Sequence, residues 1–287
     1  MKKEQGGLWI TDGGKNVAFY QKDPMGFDAW EKRNNFLHPL MLPDGTTITE
    51  NAPDDHLHHR GVFWAWHQIL IDGKQVSDGW DLKNFAVAVK GIEFKQVGGN
   101  NGELQTTALW SSPLYKNGDE AYMKEVTSYT FRKQRGNYRV IHFSICLTAL
   151  VDGLELGGSN DEKGYGGFSV RLKMPADARF LSATGPVQPE NAAVPAGSWV
   201  EISGSMAKNG QGAGGVLIYA NPKNPEPNES WILRQQASMQ NAAFPGQNPV
   251  KLEKGVPLVL DYTLVVFTGK IKGRNVLKEI VTDDVRD

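Results

Sequence analysis

The sequence predicts an all-β protein, a large antiparallel β-sandwich with a short C-terminal helix. Three observations lead there. Apolar and polar residues alternate in short runs over most of the chain, the signature of half-buried strands. The 32 glycines and 15 prolines are spread along the whole length, as expected of many strands joined by turns. Only the tail carries apolar residues at helical spacing. At 287 residues the chain is long for one domain, but all-β sandwiches reach this size as single units. No linker, repeat or low-complexity block divides it, so 1–287 is read as one sandwich domain.

The elements follow in order. Residues 8–10 form a strand ended by Asp12-Gly13-Gly14, and 17–20 a second. Residues 36–42 are extended and broken by Pro43-Asp44-Gly45, a strong turn signal. Residues 61–71 form an apolar, aromatic run ending at Asp72-Gly73. Residues 85–97 alternate and stop at a glycine- and asparagine-rich turn. The longest hairpin spans 124–150 around Arg135-Gly136-Asn137, with Ile141, Phe143, Ile145, Leu147 and Ala149 on one face. Further strands are expected at 168–174, 200–203, 216–220, 231–235 and 258–268. The stretch 221–227 is a proline-rich loop. Val276, Leu277, Ile280 and Val281 mark a helix over 274–285.

Bulk properties exclude several classes. The formal net charge is -1, so nothing points to nucleic acid or to an anionic membrane surface. No run approaches the roughly 20 apolar residues of a membrane span. Cys146 is the only cysteine, which rules out an internal disulfide and a cysteine-based zinc cluster. It lies in an apolar strand and reads as an inert buried thiol. The N-terminal seven residues lack the apolar core of a signal peptide. That start could be a trimmed one, and a periplasmic or secreted location is placed slightly ahead of a cytoplasmic one. Oligomeric state is not legible.

The chemical signal is histidine. Five of the six histidines lie between positions 38 and 67: His38, His56, His58, His59 and His67. Asp54, Asp55 and Arg60 sit within the densest part, and Trp64, Trp66 and Trp80 follow. Imidazole is the side chain that titrates near neutrality. Carboxylates orient imidazoles, arginine binds anions or carbonyl oxygens, and indoles stack on the apolar faces of sugars. Single histidines serve packing as often as chemistry. Packing alone rarely calls for so many titratable groups in seven residues. If 54–60 is extended, Asp54, His56 and His58 project to one side, and Asp55 and His59 to the other. His56 and His58 would then serve as a general acid and base, or as two ligands of a divalent metal completed by a third group. No cofactor is expected apart from that alternative.

Two further segments are candidates. The glycine-rich stretch 157–167 could carry Asp161, Glu162 or Tyr165 over a site, or be a plain hairpin loop. It is not a phosphate loop, since no Gly-Lys-Ser/Thr follows. The amide-rich stretch 234–249, with Gln240 and Asn241, could read sugar hydroxyls or satisfy its own backbone.

The motifs His38-Pro39-Leu40, Pro43-Asp44-Gly45 and Asp54-Asp55-His56-Leu57-His58-His59-Arg60-Gly61 with Trp64 resemble the PmoA-like family of unknown function. Gly164-Tyr165-Gly166-Gly167-Phe168 and residues 241–249 agree with it, and the resemblance covers roughly positions 30 to 268. The methane-oxygenase label that this family carries belongs to membrane-bound enzymes, so alkane oxidation is not expected. The resemblance implies a bacterial protein found among sugar-degradation genes, with an architecture similar to the galactose-mutarotase supersandwich. There a histidine protonates the ring oxygen and a glutamate takes the anomeric proton, a pair not matched here residue by residue. The expected function is a carbohydrate-active enzyme, an epimerase, lyase or hydrolase, acting on a small sugar, oxidised sugar or oligosaccharide. His56, His58 and His59 would carry the acid/base chemistry, with Asp55 orienting an imidazole and Arg60 holding a carbonyl or carboxylate oxygen. His38, Trp64, Trp66, His67, Tyr165, Gln240 and Asn241 would line the substrate site, and Glu162 or Glu190 would supply a second base. The alternative is a non-catalytic sugar-binding protein.

Overall fold

A computed structural model describes residues 1–26, 32–226, 229–236, 239–271 and 275–277. It is built of two nine-stranded antiparallel sheets and a smaller sheet of four strands. The first sheet runs in the order Lys2–Glu4, Gly7–Asp12, Lys15–Gln21, Phe36–Leu40, Val62–Trp66, Gly166–Arg171, Met239–Ala243, Ser230–Ile232 and Val194–Pro195. The second runs Gly185–Pro186, Arg179–Ser182, Trp199–Ala207, Gly212–Ala220, Pro257–Thr268, Tyr138–Ala149, Met123–Phe131, Asn101–Ser111 and Ala86–Val97. Val250–Lys251, Leu154–Gly157, Gln68–Ile71 and Lys74–Ser77 form the small sheet.

The predicted hairpin is present. Met123 to Phe131 pairs with Ala149 to Ile141 in unbroken register, and the expected face of the second arm is buried. That face meets the first sheet across the main core. Phe168 stacks on Tyr262 at 4.5 Å between ring centroids, Phe143 meets Phe168 edge-on at 5.0 Å, and Trp64 lies 6.0 Å from Tyr129. Burying one such aromatic side chain contributes about 2–3 kcal/mol. Within this apolar layer sits one fully buried carboxyl group, Glu125. Its oxygens accept hydrogen bonds from Asn35 Nδ2 (2.7 Å), Thr127 Oγ1 (2.9 Å) and Trp110 Nε1 (3.0 Å).

The run predicted over 61–71 is two strands. Val62–Trp66 belongs to the first sheet and Gln68–Ile71 to the small one, with His67 at the corner. The chain is diverted because the Trp66 carbonyl accepts from the backbone N–H groups of Gly79 (2.9 Å) and Trp80 (3.2 Å) instead of continuing the ladder. At the C-terminus a helical turn occupies 275–277, where Val276 and Leu277 pack on Val140, Trp199, Leu217 and Val265. The rest of the predicted helix, with Ile280 and Val281, lies outside the described residues. Among those residues no helix is long and apolar enough to cross a membrane.

Strand parity positions the site. Val62, Trp64, Trp66, Phe168 and Val170 point into the main core. Their neighbours point the other way, and cross-strand partners share a face. Ser169 therefore lies beside Phe63 and Asn241, and Arg171 beside Met239. A second apolar cluster of Phe36, Phe63, Ala65, Trp80 and Met239 covers this outer face.

Candidate functional site

The histidine-rich segment is folded into turns, which corrects the extended reading of 54–60. The His56 N–H donates to Pro53 O (2.9 Å) and the His59 N–H to His56 O (3.0 Å), while Ala52 N–H closes the loop on His59 O (2.9 Å). Pro53-Asp54-Asp55 supplies the turn chemistry. Gly61 is required where the loop rejoins the sheet, because a Cβ there would lie 2.2 Å from the Leu37 carbonyl oxygen.

The turns gather three imidazoles that an extended strand would have separated. His56 and His59 stack in parallel, with centroids 4.4 Å apart. His58 stands edge-on to both, at 4.5 Å from His59 and 5.7 Å from His56. Arg171, buried on the sheet beneath, holds the group together. Its Nε donates to Glu50 Oε2 (2.8 Å), its Nη2 to both Asp55 oxygens (2.9 Å each) and its Nη1 to His59 Nδ1 (3.2 Å). Guanidinium offers only donors. His59 Nδ1 is therefore an acceptor, and the ring proton sits on Nε2. Asp55 Oδ2 in turn lies 2.8 Å from His56 Nδ1 and orients that ring.

Burial keeps His58 and His59 neutral. The His58 pKa is lowered to about 4, chiefly by burial, with Asp81 opposing and Arg33, His56 and His67 adding to the fall. His59 is lowered far more, by burial and then by His58, His56, Arg171 and Arg33. Burial alone would raise the Asp55 pKa, but its bonds to His56 and Arg171 bring the net value below the usual range. Burial therefore leaves His58 in the unprotonated form that a proton acceptor needs, while lowering its basicity.

One wall of the site is aromatic. Trp80 lies 6.4 Å from His59, 5.8 Å from Phe63 and 5.2 Å from Tyr165, and His67 stacks on it at 5.4 Å. Arg234 lies 5.5 Å over Tyr165. Arg33 is buried against Phe63 and donates through Nη2 to the carbonyls of Gly79 (2.6 Å) and Trp80 (3.0 Å), which pins the turn bearing the indole. His67 Nδ1 meets Asp78 Oδ2 at 3.0 Å, a second imidazole–carboxylate pair.

A family model described as a family of unknown function (DUF6807) matches residues 8–280. The chain belongs to this family. No curated protein matches it. The DUF6807 match spans every element of the site, so the geometry carries the functional reading.

The site of this DUF6807 chain differs from the sequence expectation in several places. His56, His58, His59, Asp55, His67 and Tyr165 come together as expected. Arg60 does not join the imidazole group. It is fully buried, lies over Phe36 and donates to the carbonyls of His59 (3.0 Å) and Leu57, so it buttresses the loop. Trp64 and Trp66 lie in the main core, where neither can stack on a ligand, and Trp80, in the second apolar cluster, is buried as well. His38 bonds through Nδ1 to Thr49 Oγ1 (3.0 Å), and burial, then Lys173 and Arg60, lower its pKa to about 4. It has no ring contact with the imidazole group.

Gln240 and Asn241 are wholly buried. Gln240 bonds the backbone of Arg234 through both amide atoms (2.9 and 2.8 Å), and Asn241 donates to the carbonyls of Gly166 and Phe168 (3.0 Å each). Both shape the walls rather than face a ligand. Asp161 accepts from the N–H groups of Lys163 and Gly164 and fixes its own loop. Glu162 and Glu190 are exposed, and the backbone carbonyl of Glu190 accepts from Arg234.

Among the described residues, three possible metal ligands converge at His67, Asp78 and Asp81 rather than at His56 and His58. His56 already has Nδ1 on Asp55, and its ring is nearly perpendicular to that of His58. Sequence reasoning missed Arg171, Glu50, Arg33, Asp78 and Asp81. Arg171 was detectable as a charge ending the otherwise uncharged strand Gly166–Arg171.

Proposed function

We propose that the protein is a carbohydrate-active enzyme, an epimerase, lyase or hydrolase, that moves protons through the imidazole group at His56, His58 and His59. The observation that carries this reading is the mutual packing of three imidazoles beside an aromatic wall, with Arg171 and Asp55 fixing two of them. His58 is the proton acceptor, because its ring nitrogens make no hydrogen bond to the described residues and burial favours its neutral form. Asp55 orients His56 as the partner acid, and His59 supplies a donor at Nε2. Tyr165, half-buried beside the buried Trp80, offers the face on which a sugar ring stacks.

The two nine-stranded sheets support relating the fold to galactose-mutarotase-like supersandwiches. The Asp54–Gly61 motif supports the PmoA-like relationship. A thermal-shift screen over sugars, 3-keto-sugars and uronic acids identifies the ligand, and turnover is then followed on each hit. His58→Ala abolishes turnover, by about 10²–10⁴-fold for a lost general base, with little change in melting temperature. A variant that binds and turns over like the parent refutes His58 as the base. A ligand that binds but is never turned over makes the protein a sugar-binding module instead.

A further inference from the structure

We infer that the same site holds one divalent cation, of the Zn²⁺ or Mn²⁺ type, on His67, Asp78 and Asp81. The inference shares the location of the proposed active site, but its test does not depend on turnover. One ligand atom from each residue lies within 4.8 Å of the others, and all three residues are half-buried. His67 Nδ1 and Asp78 Oδ2 are 3.0 Å apart. That separation is close to the bite of two ligands at about 2.1 Å from one ion. One imidazole nitrogen with two carboxylates suits Zn²⁺ or Mn²⁺ better than the all-oxygen cages of Ca²⁺.

The surroundings are built to hold this set still. The second oxygen of Asp78 accepts from the N–H groups of Trp80 (2.9 Å) and Asp81 (2.8 Å), so a single turn fixes both carboxylates. Backbone bonds between Asp78 and Lys83 in both directions (2.9 Å each) close that turn. Trp80 lies flat against the His67 ring and sets its plane. Restraint from such neighbours is what metal ligands require.

The charge around the set also favours a cation. Lys83 Nζ sits 2.9 Å from Asp81 Oδ2, yet the lysine side chain is 69% exposed. It occupies the place of a counter-ion on a tether that swings away at little cost. Ring contacts run from His58 through His59 and Trp80 to His67, so a bound ion would share the site with the proposed proton acceptor. There it would polarise a ligand oxygen. Arg33, pinned to the carbonyls of Gly79 and Trp80, opposes the ion.

The test uses full-length protein stripped with a chelator and titrated with Zn²⁺, Mn²⁺ and Ca²⁺ by calorimetry and thermal shift. We expect one ion per chain, with Zn²⁺ or Mn²⁺ bound more tightly than Ca²⁺. At a hundredfold excess over Kd the melting temperature rises by roughly 5 °C. Asp81→Asn and His67→Ala each weaken binding at least tenfold, whereas Asp152→Asn, at an 87% exposed side chain outside the site, leaves it unchanged. Asp81→Asn is the decisive variant, since it changes a partly exposed side chain and keeps its shape. No saturable binding up to millimolar Zn²⁺ and Mn²⁺, or undiminished binding in Asp81→Asn, overturns the inference. Turnover without metal binding would sink the metal site alone, and metal binding without turnover would sink the enzyme reading alone.

Discussion

Arg171 is the side chain on which the imidazole group depends, and Arg171→Met tests that directly. The guanidinium is 2% exposed and makes charge-assisted bonds to Glu50 and Asp55 as well as to His59 Nδ1. Removing one partner of a fully buried ion pair costs about 3–5 kcal/mol. Here the carboxylates keep about a third of their surface in water (32% for Glu50, 33% for Asp55), so solvent absorbs part of that loss. The expected cost is roughly 2–3 kcal/mol. Arg171→Lys keeps the charge but loses the bidentate fork, and should fall between the parent and methionine. Urea unfolding monitored by tryptophan fluorescence measures both, with the midpoint shifting and the slope unchanged. Parental stability in Arg171→Met would mean that the loop holds its shape without the guanidinium, and the argument for a positioned His59 would collapse.

Two other outcomes follow from buried titratable groups. The folded-state pKa values of His58 and His38 are both lowered to about 4 from 6.5. Unfolded chains therefore bind more protons between those values, and stability is lost as pH falls from about 6.5 towards 4, on the order of 1–2 kcal/mol per group after allowance for solvent. A urea midpoint that stays constant from pH 7 to pH 4.5 contradicts this. Glu125→Gln turns an amide N–H₂ towards the donors Asn35, Thr127 and Trp110 and should destabilise by roughly 2–3 kcal/mol, seen as a lower calorimetric melting temperature; an unchanged value would mean that the donors reorient freely.

The legible parts of the fold were those where one face is wet and the other dry. The arm Tyr138–Ala149 declares its parity, because Ser144, Thr148 and His142 alternate with apolar residues. Val62–Trp66 is buried on both faces, so no polar residue marks which side meets the main core. That is why Trp64 and Trp66 read as ligand platforms and Trp80 did not stand out. Asn101–Ser111 went unrecognised for a related reason, since Thr106 occupies a buried position and dilutes the alternation. The site was legible in its densest block, residues 55–59, by composition alone. Its organiser was not, because Arg171 lies 112 positions from His59 and no local pattern links residues so far apart. The turn at 53–56 was within reach, since Pro-Asp-Asp favours a turn over the extended reading.

The packing of the rings also constrains what the site can do with protons. A charge on His56 would lie face to face with His59 at 4.4 Å, and His58 is 4.5 Å from the same ring. At such distances like charges repel, so two neighbouring imidazoliums are disfavoured. Arg171 already holds a positive charge on His59 Nδ1, which drives the first proton away from His59 and towards the rings nearer the carboxylates. Asp55 bonds His56 Nδ1, and Asp81 opposes the lowering of the His58 pKa. The arrangement therefore disfavours more than one added proton, and His59, whose pKa is lowered most, remains a neutral donor. A group with that behaviour suits the transfer of a single proton to and from a bound ligand. It suits poorly the binding of a polyanion, for which three protonated rings would be the better design.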